Sequence, residues 1–268
     1  MSRLVVFTDL DGTLLDSETY SFAAASEALR ELALRKVPLV LCTSKTRAEL
    51  APLRRRLRNG HPYIVENGGG IVIPAGYFGR GPGRRIDLGR PYSEIAAALD
   101  DLAEEAGVGV RGFHHLTARQ VSAKTGLPLE DGRLAKKREY DEPFSFVRGG
   151  AKERARFVRL ARRRGFDLAR GGRFWHLFSG SDKGAAVRRL MALYRRAAGR
   201  CRSAALGDAA NDLPMLRAAD RAVLLPAKDG RFDRALLRRL PGVARGRAPG
   251  PEGWNQAVLE ILSRAAGV

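Results

Sequence analysis

The sequence predicts an α/β protein in which a parallel-sheet core is interrupted by an inserted α/β unit. Near both ends of the chain, short apolar runs alternate with amphipathic segments, which is the βαβ pattern of a parallel sheet. The alternation breaks in a glycine- and proline-rich stretch that begins at Pro74, and it resumes at Lys183. A chain of 268 residues has room for one core and one inserted unit. We expect the core at residues 1–83 and 180–268 and the inserted unit at residues 84–179.

The first part of the core begins with the apolar run Leu4-Val5-Val6-Phe7, which is long enough for a buried strand. Apolar runs and helical periodicity then alternate up to residue 65. The predicted strands of this part span residues 4–8, 37–42 and 63–65, and the predicted helices span residues 22–34 and 46–57. Residues 74–90 are expected to form a loop that crosses to the inserted unit.

The inserted unit has its own mixture of helical and strand patterns. Its predicted helices span residues 92–106 and 151–164, with short helices across 117–137, and its predicted strands span residues 108–113, 144–147, 166–170 and 174–178. The core then resumes with helices at residues 183–198, 212–218 and 254–265 and strands at residues 203–206 and 222–225. One sheet is thus expected to be interrupted and then completed.

The chain carries a net charge of +19, from 48 basic and 29 acidic residues. Its arginines are spread over short clusters on the polar sides of predicted helices, without the interleaved aromatic residues typical of nucleic-acid-binding grooves. We therefore expect no nucleic-acid partner, although the positive field would attract a small, multiply anionic substrate. The alternative outside the enzymes is a non-catalytic nucleic-acid-binding module.

No apolar run approaches the roughly 18 residues that a membrane span needs. The first predicted strand begins too close to Met1 for a cleavable leader, so we expect a cytoplasmic protein with no membrane partner. Cys42 and Cys201 lie in or beside apolar runs and are expected to be buried free thiols. Four residues separate Cys42 from Arg47, whereas the loop of cysteine phosphatases needs five, so Cys42 is not expected to be a nucleophile.

Polar residues follow the predicted strands at the points where these strands end. In a parallel sheet these points meet at one edge, where ligands bind. The residues are Asp9 and Asp11 after the first strand, Thr43, Ser44 and Lys45 after the second, Lys183 at a helix start, and Asp208, Asn211 and Asp212 after the strand at residues 203–206. Crowded carboxylates need a cation, and such oxygen ligands favour Mg²⁺, which also takes phosphate oxygens. The cluster therefore predicts Mg²⁺ and a phosphorylated substrate, with a carboxylate able to attack phosphorus.

The motif Asp9-Leu10-Asp11-Gly12 alone is also compatible with the start of a calcium-binding loop. Such a loop needs a glutamate at about its twelfth position. If Asp9 is the first position, the residue there is Tyr20. The pair His114-His115 has no cysteine or acid nearby in the sequence and is not expected to bind zinc. The predicted metal site is therefore the one at the strand ends.

Taken together, four segments resemble the motifs of the haloacid dehalogenase superfamily of aspartate-nucleophile phosphatases. They are, in order, Asp9-Leu10-Asp11-Gly12-Thr13-Leu14, Thr43, Lys183 and Gly207-Asp208-Ala209-Ala210-Asn211-Asp212. The resemblance implies a three-layer Rossmann-like parallel-sheet core with an inserted α/β cap of the C2 type, which closes over the site. The implied ligands of Mg²⁺ are Asp9, the backbone carbonyl of Asp11, Asp208 and Asp212, with Asp212 and Asn211 either binding the ion directly or contacting its ligands.

The resemblance also implies the catalytic roles. Asp9 would attack the phosphoryl group, and Asp11 would protonate the leaving oxygen and later activate water. Thr43 and Lys183 would bind the transferring oxygens, on which charge is spread in the transition state.

Three further segments are similar to the mannosyl-3-phosphoglycerate phosphatase family, namely residues 41–49, 62–69 and 171–177. General relatives show Thr-Gly-Arg where this chain has Thr43-Ser44-Lys45. The similarity implies hydrolysis of mannosyl-3-phosphoglycerate to mannosylglycerate and phosphate. Glucosyl-3-phosphoglycerate, sucrose-phosphate and hexose-phosphate are the alternative substrates.

The substrate-binding residues that follow from this similarity lie in the core loops and in the cap. They are Ser44, Lys45, Glu66, Asn67, Gly68, Arg173, His176 and Asn211. Glu66 and Asn67 have a structural alternative, a turn before the next two glycines. Arg173 and His176 are three residues apart around a predicted strand, so they are expected on opposite faces, with Arg173 the one that reaches the substrate carboxylate. No particular oligomeric state follows from the sequence.

Overall fold

A computed structural model of the protein describes residues 3–170, 173–180 and 182–266. Its strands are β1 (Arg3–Thr8), β2 (Leu39–Leu41), β3 (Tyr63–Val65), β4 (Gly70–Ile73), β5 (Arg84–Asp87), β6 (Gly109–Gly112), β7 (Asp141–Arg148), β8 (Asp167–Arg170), β9 (Trp175–Phe178), β10 (Cys201–Gly207), β11 (Arg221–Leu224) and β12 (Ala244–Arg245). Its α-helices are α1 (Ser26–Leu34), α2 (Arg47–Arg56), α3 (Tyr92–Ala106), α4 (Ala118–Thr125), α5 (Leu129–Ala135), α6 (Ala151–Arg163), α7 (Lys183–Ala198), α8 (Leu213–Ala218), α9 (Arg234–Arg239) and α10 (Gly250–Ala266). None of the described helices is long and apolar enough to cross a membrane.

The core is a parallel sheet with the strand order β12-β11-β10-β1-β2. Strand β1 pairs with β10 along its length, so that Thr8 stands opposite Leu206. Its alternate residues contact two helical layers, since Val6 packs with α1 and α10 whereas Val5 and Phe7 pack with α7 and α8. A strand buried on both faces is typical of a parallel sheet covered by helices. The predicted three-layer α/β core is confirmed.

Strand β3 is joined to the core sheet by a parallel bridge between Ile64 and Cys42. It then starts an antiparallel sheet with the order β3-β4-β5. The prediction of a loop at residues 74–90 is thus wrong for β5, which places Ile86 opposite Ile71. The strand was not recognised because it begins with two arginines and has no apolar run. The division into core (residues 1–83 and 180–268) and inserted unit (residues 84–179) remains a proposal. Because β5 pairs with β4, the structure favours a boundary between the core and the inserted unit after Asp87.

The inserted unit contains an antiparallel sheet with the order β6-β7-β9-β8. Helices α3 and α6 cover one face of it, where Leu99 and Phe157 pack against Phe144 and Leu177. Helices α4 and α5 form a smaller apolar cluster around Phe113. This unit is the predicted cap.

Strand β7 begins three residues before the predicted strand at residues 144–147, at Asp141. Two charged residues and a proline at its start do not form a strand pattern, yet Asp141 and Glu142 are fully buried in the structure. The short elements α9 and β12 were also missed by the sequence analysis. Residues 171 and 172, which belong to the segment at residues 171–177, lie outside the described part of the chain.

Candidate active site

The candidate site lies at the carboxyl ends of β1, β2 and β10, as the sequence predicts. Because β1 and β10 run in register, the residues that follow them emerge side by side. The amide of Asp9 donates to Leu206 O at 3.0 Å, which holds Asp9 at the end of the sheet. Asp208 follows β10 directly. Sheet topology alone thus brings the first and last acidic motifs together.

Lys183 is a buried cation at the start of α7. Asp182 caps this helix by accepting from the Ala185 amide at 2.7 Å. The Lys183 Nζ donates to Asp9 Oδ1 at 2.6 Å and to Asp212 Oδ1 at 2.7 Å. Burial alone would lower the pKa of Lys183, but the Asp212 and Asp9 carboxylates outweigh it and hold the pKa above its ordinary value. Lys183 therefore remains an ammonium between two carboxylates.

Three carboxylates surround this one ammonium. Asp9, Asp208 and Asp212 each offer an oxygen, and these oxygens lie within 4.8 Å of one another. Burial, followed by the charge of Asp212, raises the pKa of Asp208 to about 7, and the same two causes raise the pKa of Asp9. Burial and like charges both disfavour the ionised form of an acid, and the charge of Lys183 offsets them only in part. The donor set fits a hard divalent cation such as Mg²⁺.

Hydrogen bonds fix the orientation of these acids. The Thr13 hydroxyl donates to Asp208 Oδ1 at 2.7 Å. The amides of Asp208 and Ala209 donate to Asp212 Oδ2, each at 3.1 Å. Gly12 has a φ of +81°, and a Cβ there would lie 2.8 Å from Asp208 Oδ2. The loop is thus shaped so that Asp208 can approach the first motif.

The side chain of Asp11 lies apart from this three-acid group. Its Oδ2 pairs with the Lys45 Nζ at 2.8 Å, and its Oδ1 is buried without a hydrogen-bond partner. Burial opposes the charge of Lys45, but Asp11 and Glu49 outweigh it and raise the Lys45 pKa. The resemblance implies that Asp11 holds the metal through its backbone carbonyl, and this stays a prediction; its carboxylate is engaged by Lys45.

A cavity of about 430 Å³ lies between the core loops and the cap. Of the residues predicted from the sequence, it is lined by Asp9, Asp11, Ser44, Lys45, Arg173, His176, Asp208 and Asn211. Thr43 is buried beneath it, and its hydroxyl accepts from the Lys45 amide at 3.2 Å. The structure thus brings three acidic residues and five basic or polar residues, from the core loops and from the cap, to one cavity.

Arg173 and His176 both line the cavity, so the expectation that only one of them does is wrong. The reason is that β9 begins at Trp175, and Arg173 therefore precedes the strand and does not follow its alternation. An Arg173 guanidinium nitrogen donates to Thr125 O, which links it to the end of α4.

Glu66, Asn67 and Gly68 are not among the residues that line the cavity. Glu66 is buried, and its carboxylate accepts from the Glu139 and Tyr140 amides at 3.0 and 2.8 Å. Gly68 has a φ of +99° and packs against the Asp182 backbone, where a Cβ would lie 2.2 Å from the carbonyl oxygen. The structure therefore does not bring these three predicted substrate-binding residues to the cavity wall. Glu66 instead links the core to the segment that leads into the cap, and Gly68 packs within the core.

Asn67 and two residues missed by the sequence analysis form a buried network beside the cavity. Asp141 accepts from Asn67 Nδ2 at 2.5 Å and from Arg138 Nη2 at 2.9 Å. Arg138 also donates to Ser44 O at 3.0 Å, and Asn67 Oδ1 accepts from Asn211 Nδ2 at 3.3 Å. Neither Arg138 nor Asp141 belongs to a motif, so no local pattern could have indicated them.

Glu66 gives the stability of the protein a pH dependence that can be tested. Burial raises its pKa to about 7 from an ordinary value of 4.5, although Arg138 opposes the rise. Because the pKa is higher in the folded state, this stabilisation is full below about pH 4.5 and is lost as the pH rises through 7. We expect Glu66→Gln to remove that fall from the free energy of unfolding, measured by urea denaturation across this range. An identical pH slope in both proteins would contradict the assignment.

Two other groups that sequence analysis singled out lie outside the acidic cluster. Cys42 has no exposed surface, and burial raises its pKa, which agrees with an inert thiol. His114 and His115 have no acid nearby in the sequence, but the fold brings Asp100 of α3 to 3.1 Å from the Nε2 atom of each. The Gly112 amide donates to His115 Nδ1 at 3.1 Å, so the Nε2 of a neutral His115 carries the proton and donates to Asp100.

The fold and the site agree with the comparison to known families. The family model described as haloacid dehalogenase-like hydrolase matches residues 6–77, which include Asp9, Asp11 and Thr43. The chain belongs to the haloacid dehalogenase-like hydrolases, as its motifs predict, and it is a phosphoric monoester hydrolase of this family.

Two curated relatives match almost the whole chain. Both are named glucosyl-3-phosphoglycerate/mannosyl-3-phosphoglycerate phosphatase. The relative from Methanococcoides burtonii is 40% identical over 268 residues, and the one from Persephonella marina is 35% identical over 271 residues, with 97% of each chain covered in both cases. The solved structure of Thermoplasma acidophilum 0175 is similar in fold, with a TM-score of 0.68, 20% identity and coverage of 98% of this chain and 99% of that chain.

Proposed function

We propose that the protein is a Mg²⁺-dependent phosphatase that hydrolyses mannosyl-3-phosphoglycerate to mannosylglycerate and phosphate. One observation carries the proposal. The buried ammonium of Lys183 holds Asp9 beside two further carboxylates, and Asp9 lines a cavity whose wall also includes cationic side chains. The names of both relatives support glucosyl-3-phosphoglycerate as a second substrate of the same site.

Asp9 is the proposed nucleophile. Lys183 holds its Oδ1 at 2.6 Å, which orients the carboxylate and leaves Oδ2 for attack on phosphorus. Asp11 protonates the leaving oxygen of the glycerate and then removes a proton from the attacking water. Lys45 keeps the Asp11 carboxylate at the cavity. Thr43 and Lys183 supply donors near the transferring oxygens.

Asp9, Asp208 and Asp212 would hold Mg²⁺, with the backbone carbonyl of Asp11. When bound, the ion would neutralise part of the negative charge that otherwise repels the phosphoryl group. The fit is supported by the raised pKa values of Asp9 and Asp208, which are caused by burial and then by the charge of Asp212, because a bound divalent cation would favour the ionised form of both acids.

The leaving group would lie toward the cap. Arg173 and Lys45 line the same cavity and provide a guanidinium and an ammonium for the glycerate carboxylate. Ser44 and Asn211 provide further polar contacts from the core loops. A small phosphorylated sugar-glycerate fits this division, with the phosphate at the acidic cluster and the sugar near the cap.

A phosphate-release panel tests this proposal. With Mg²⁺, we expect kcat/KM to be highest for the mannosyl and glucosyl 3-phosphoglycerates and at least about tenfold lower for sucrose-phosphate and hexose-phosphates, because these lack the carboxylate. EDTA is expected to abolish release, and added Mg²⁺ to restore it. Equal or greater activity on hexose-phosphates would refute the substrate assignment, and full activity in EDTA would refute the metal assignment.

A further inference from the structure

His176 forms part of the cavity wall, and a buried carboxylate holds its imidazole ring. The ring Nδ1 lies 2.8 and 3.0 Å from the two carboxylate oxygens of Asp141. Asp141 has no exposed surface and does not line the cavity, whereas His176 lines it together with Asp9. Asp141 can therefore act on a bound ligand only through the side chains that it holds, and His176 and Arg138 are those that line the cavity.

The Asp141 carboxylate is ionised and firmly held. Burial alone would raise its pKa, but His176, Arg138 and the hydrogen bond from Asn67 outweigh burial and keep the pKa below its ordinary value. Arg138 contacts this residue twice, because Nη2 lies 2.9 Å from Oδ1 and Nε donates to the Asp141 backbone oxygen at 2.9 Å. The Asp141 carboxylate thus has a fixed position, and because it is ionised it accepts hydrogen bonds and donates none.

The same contacts tie His176 to the core loops. Arg138 donates to Ser44 O, and Asn67 accepts from Asn211 Nδ2. Both Ser44 and Asn211 line the cavity. Hydrogen bonds therefore connect the imidazole on the cap strand β9 to loops on the opposite side of the cavity.

An acceptor on one side of the ring decides which nitrogen carries the proton. Since the Asp141 carboxylate only accepts, Nδ1 of His176 must donate to it. A neutral imidazole has one N–H, so Nε2 is left with a free lone pair. Nε2 is then a hydrogen-bond acceptor for a ligand in the cavity.

We propose that Asp141 is a positioning residue that fixes the Nδ1–H tautomer of His176, so that Nε2 accepts a hydrogen bond from a hydroxyl group of the substrate sugar. This inference rests on the proposed function, because the hydroxyl belongs to the glycosyl part of the substrate. Since Asp9 attacks the phosphorus from the core, a cap residue that binds the sugar contributes to binding of the leaving group.

The tautomer can be measured without any substrate. The chain has four histidines, so nitrogen NMR of its imidazoles gives a small set of signals, and His176→Gln identifies the signal of His176. We expect a protonated Nδ1 and an unprotonated Nε2 in the wild-type protein. Observation of the opposite tautomer, or of a doubly protonated ring at neutral pH, would overturn the proposal even if no Asp141 variant folded.

Asp141→Asn keeps the size of the side chain but removes the anion that holds the proton on Nδ1. Arg138 donates to Oδ1 and Asn67 donates to Oδ2, and Nδ1 lies 2.8 and 3.0 Å from these same two oxygens. An amide must place its NH₂ at one of these two positions, where it favours a ring nitrogen that accepts, and the oxygen that is left carries no charge. We therefore expect the share of the Nδ1–H tautomer to fall. A His176 signal that keeps the full Nδ1–H pattern in folded Asp141→Asn would overturn the proposal.

Kinetics separate this role from a merely structural one. We expect Asp141→Asn to lower the ratio of kcat/KM for mannosyl-3-phosphoglycerate to that for p-nitrophenyl phosphate about tenfold, mainly through KM, because the second compound has no sugar hydroxyls. An equal fall for both compounds would overturn the proposal. Glu139→Gln is the matched control, since Glu139 is a carboxylate two residues away that pairs with Arg47 and Arg85 outside the cavity. If wild-type protein released no phosphate from the glycosyl compound, the proposed function would fail, whereas the NMR result would still decide the tautomer.

Discussion

Asp9→Asn is expected to lower kcat at least about 10⁴-fold, the scale on which loss of a nucleophile acts in other enzymes. The substitution keeps the size of the side chain but replaces the attacking carboxylate by an amide. Because burial and the neighbouring Asp212 raise the pKa of Asp9, its charge is unfavourable in the folded protein. Asp9→Asn should therefore lose turnover without losing stability.

The measurement is phosphate release under single-turnover conditions, together with urea denaturation of the same samples. Asp16→Asn is the matched control, because Asp16 follows the same motif but hydrogen-bonds to Thr19 at an exposed turn outside the cavity. It should retain kcat within about twofold. Residual kcat of Asp9→Asn above about 1% of the wild-type value would remove Asp9 from the role of nucleophile.

Lys183→Met is expected to lower the free energy of unfolding by about 3–5 kcal/mol in the absence of metal, in addition to abolishing turnover. Lys183 has no exposed side-chain surface, and it is within 2.7 Å of both Asp9 and Asp212. Its removal leaves two buried carboxylates without the ammonium that offsets their repulsion. The cost comes from these two acids more than from the lost side chain.

A double substitution isolates the cause. Lys183→Met combined with Asp212→Asn should regain part of the lost stability, because one of the two uncompensated charges is removed. The amide side chain introduced by Asp212→Asn would keep an oxygen that can accept from the Asp208 amide, as the Asp212 carboxylate does at 3.1 Å. The exposed Lys152→Met is a control for loss of a lysine charge and should change stability by less than about 0.5 kcal/mol. Equal stability of Lys183→Met and the wild-type protein would contradict the charge argument.

The acidic site could be predicted from the sequence because it depends on strand order alone. Asp9 and Asp208 each follow an apolar strand, and parallel strands end at the same edge of a sheet. Lys183 was found because it stands at the start of a helix next to that edge. These placements need no knowledge of side-chain packing.

The network around the cap could not be predicted in this way. Asp141 and Glu142 have the sequence signature of an exposed loop, and their burial depends on partners far along the chain, such as His176. Glu66 was expected to contact the substrate, but its carboxylate accepts hydrogen bonds from the Glu139 and Tyr140 amides in the segment that leads into the cap. Long-range hydrogen bonds of this kind leave no periodic pattern.

The most direct test of the account is the identity of the phosphorylated residue during turnover. Mannosyl-3-phosphoglycerate is mixed with the protein and Mg²⁺, quenched in acid within one turnover, and the peptides are analysed by mass spectrometry. We expect a single phosphoryl group to appear on the peptide that contains Asp9, to decay as phosphate is released, and to be absent in Asp9→Asn. Turnover with no phosphorylated intermediate, or with the phosphoryl group on another residue, would contradict it.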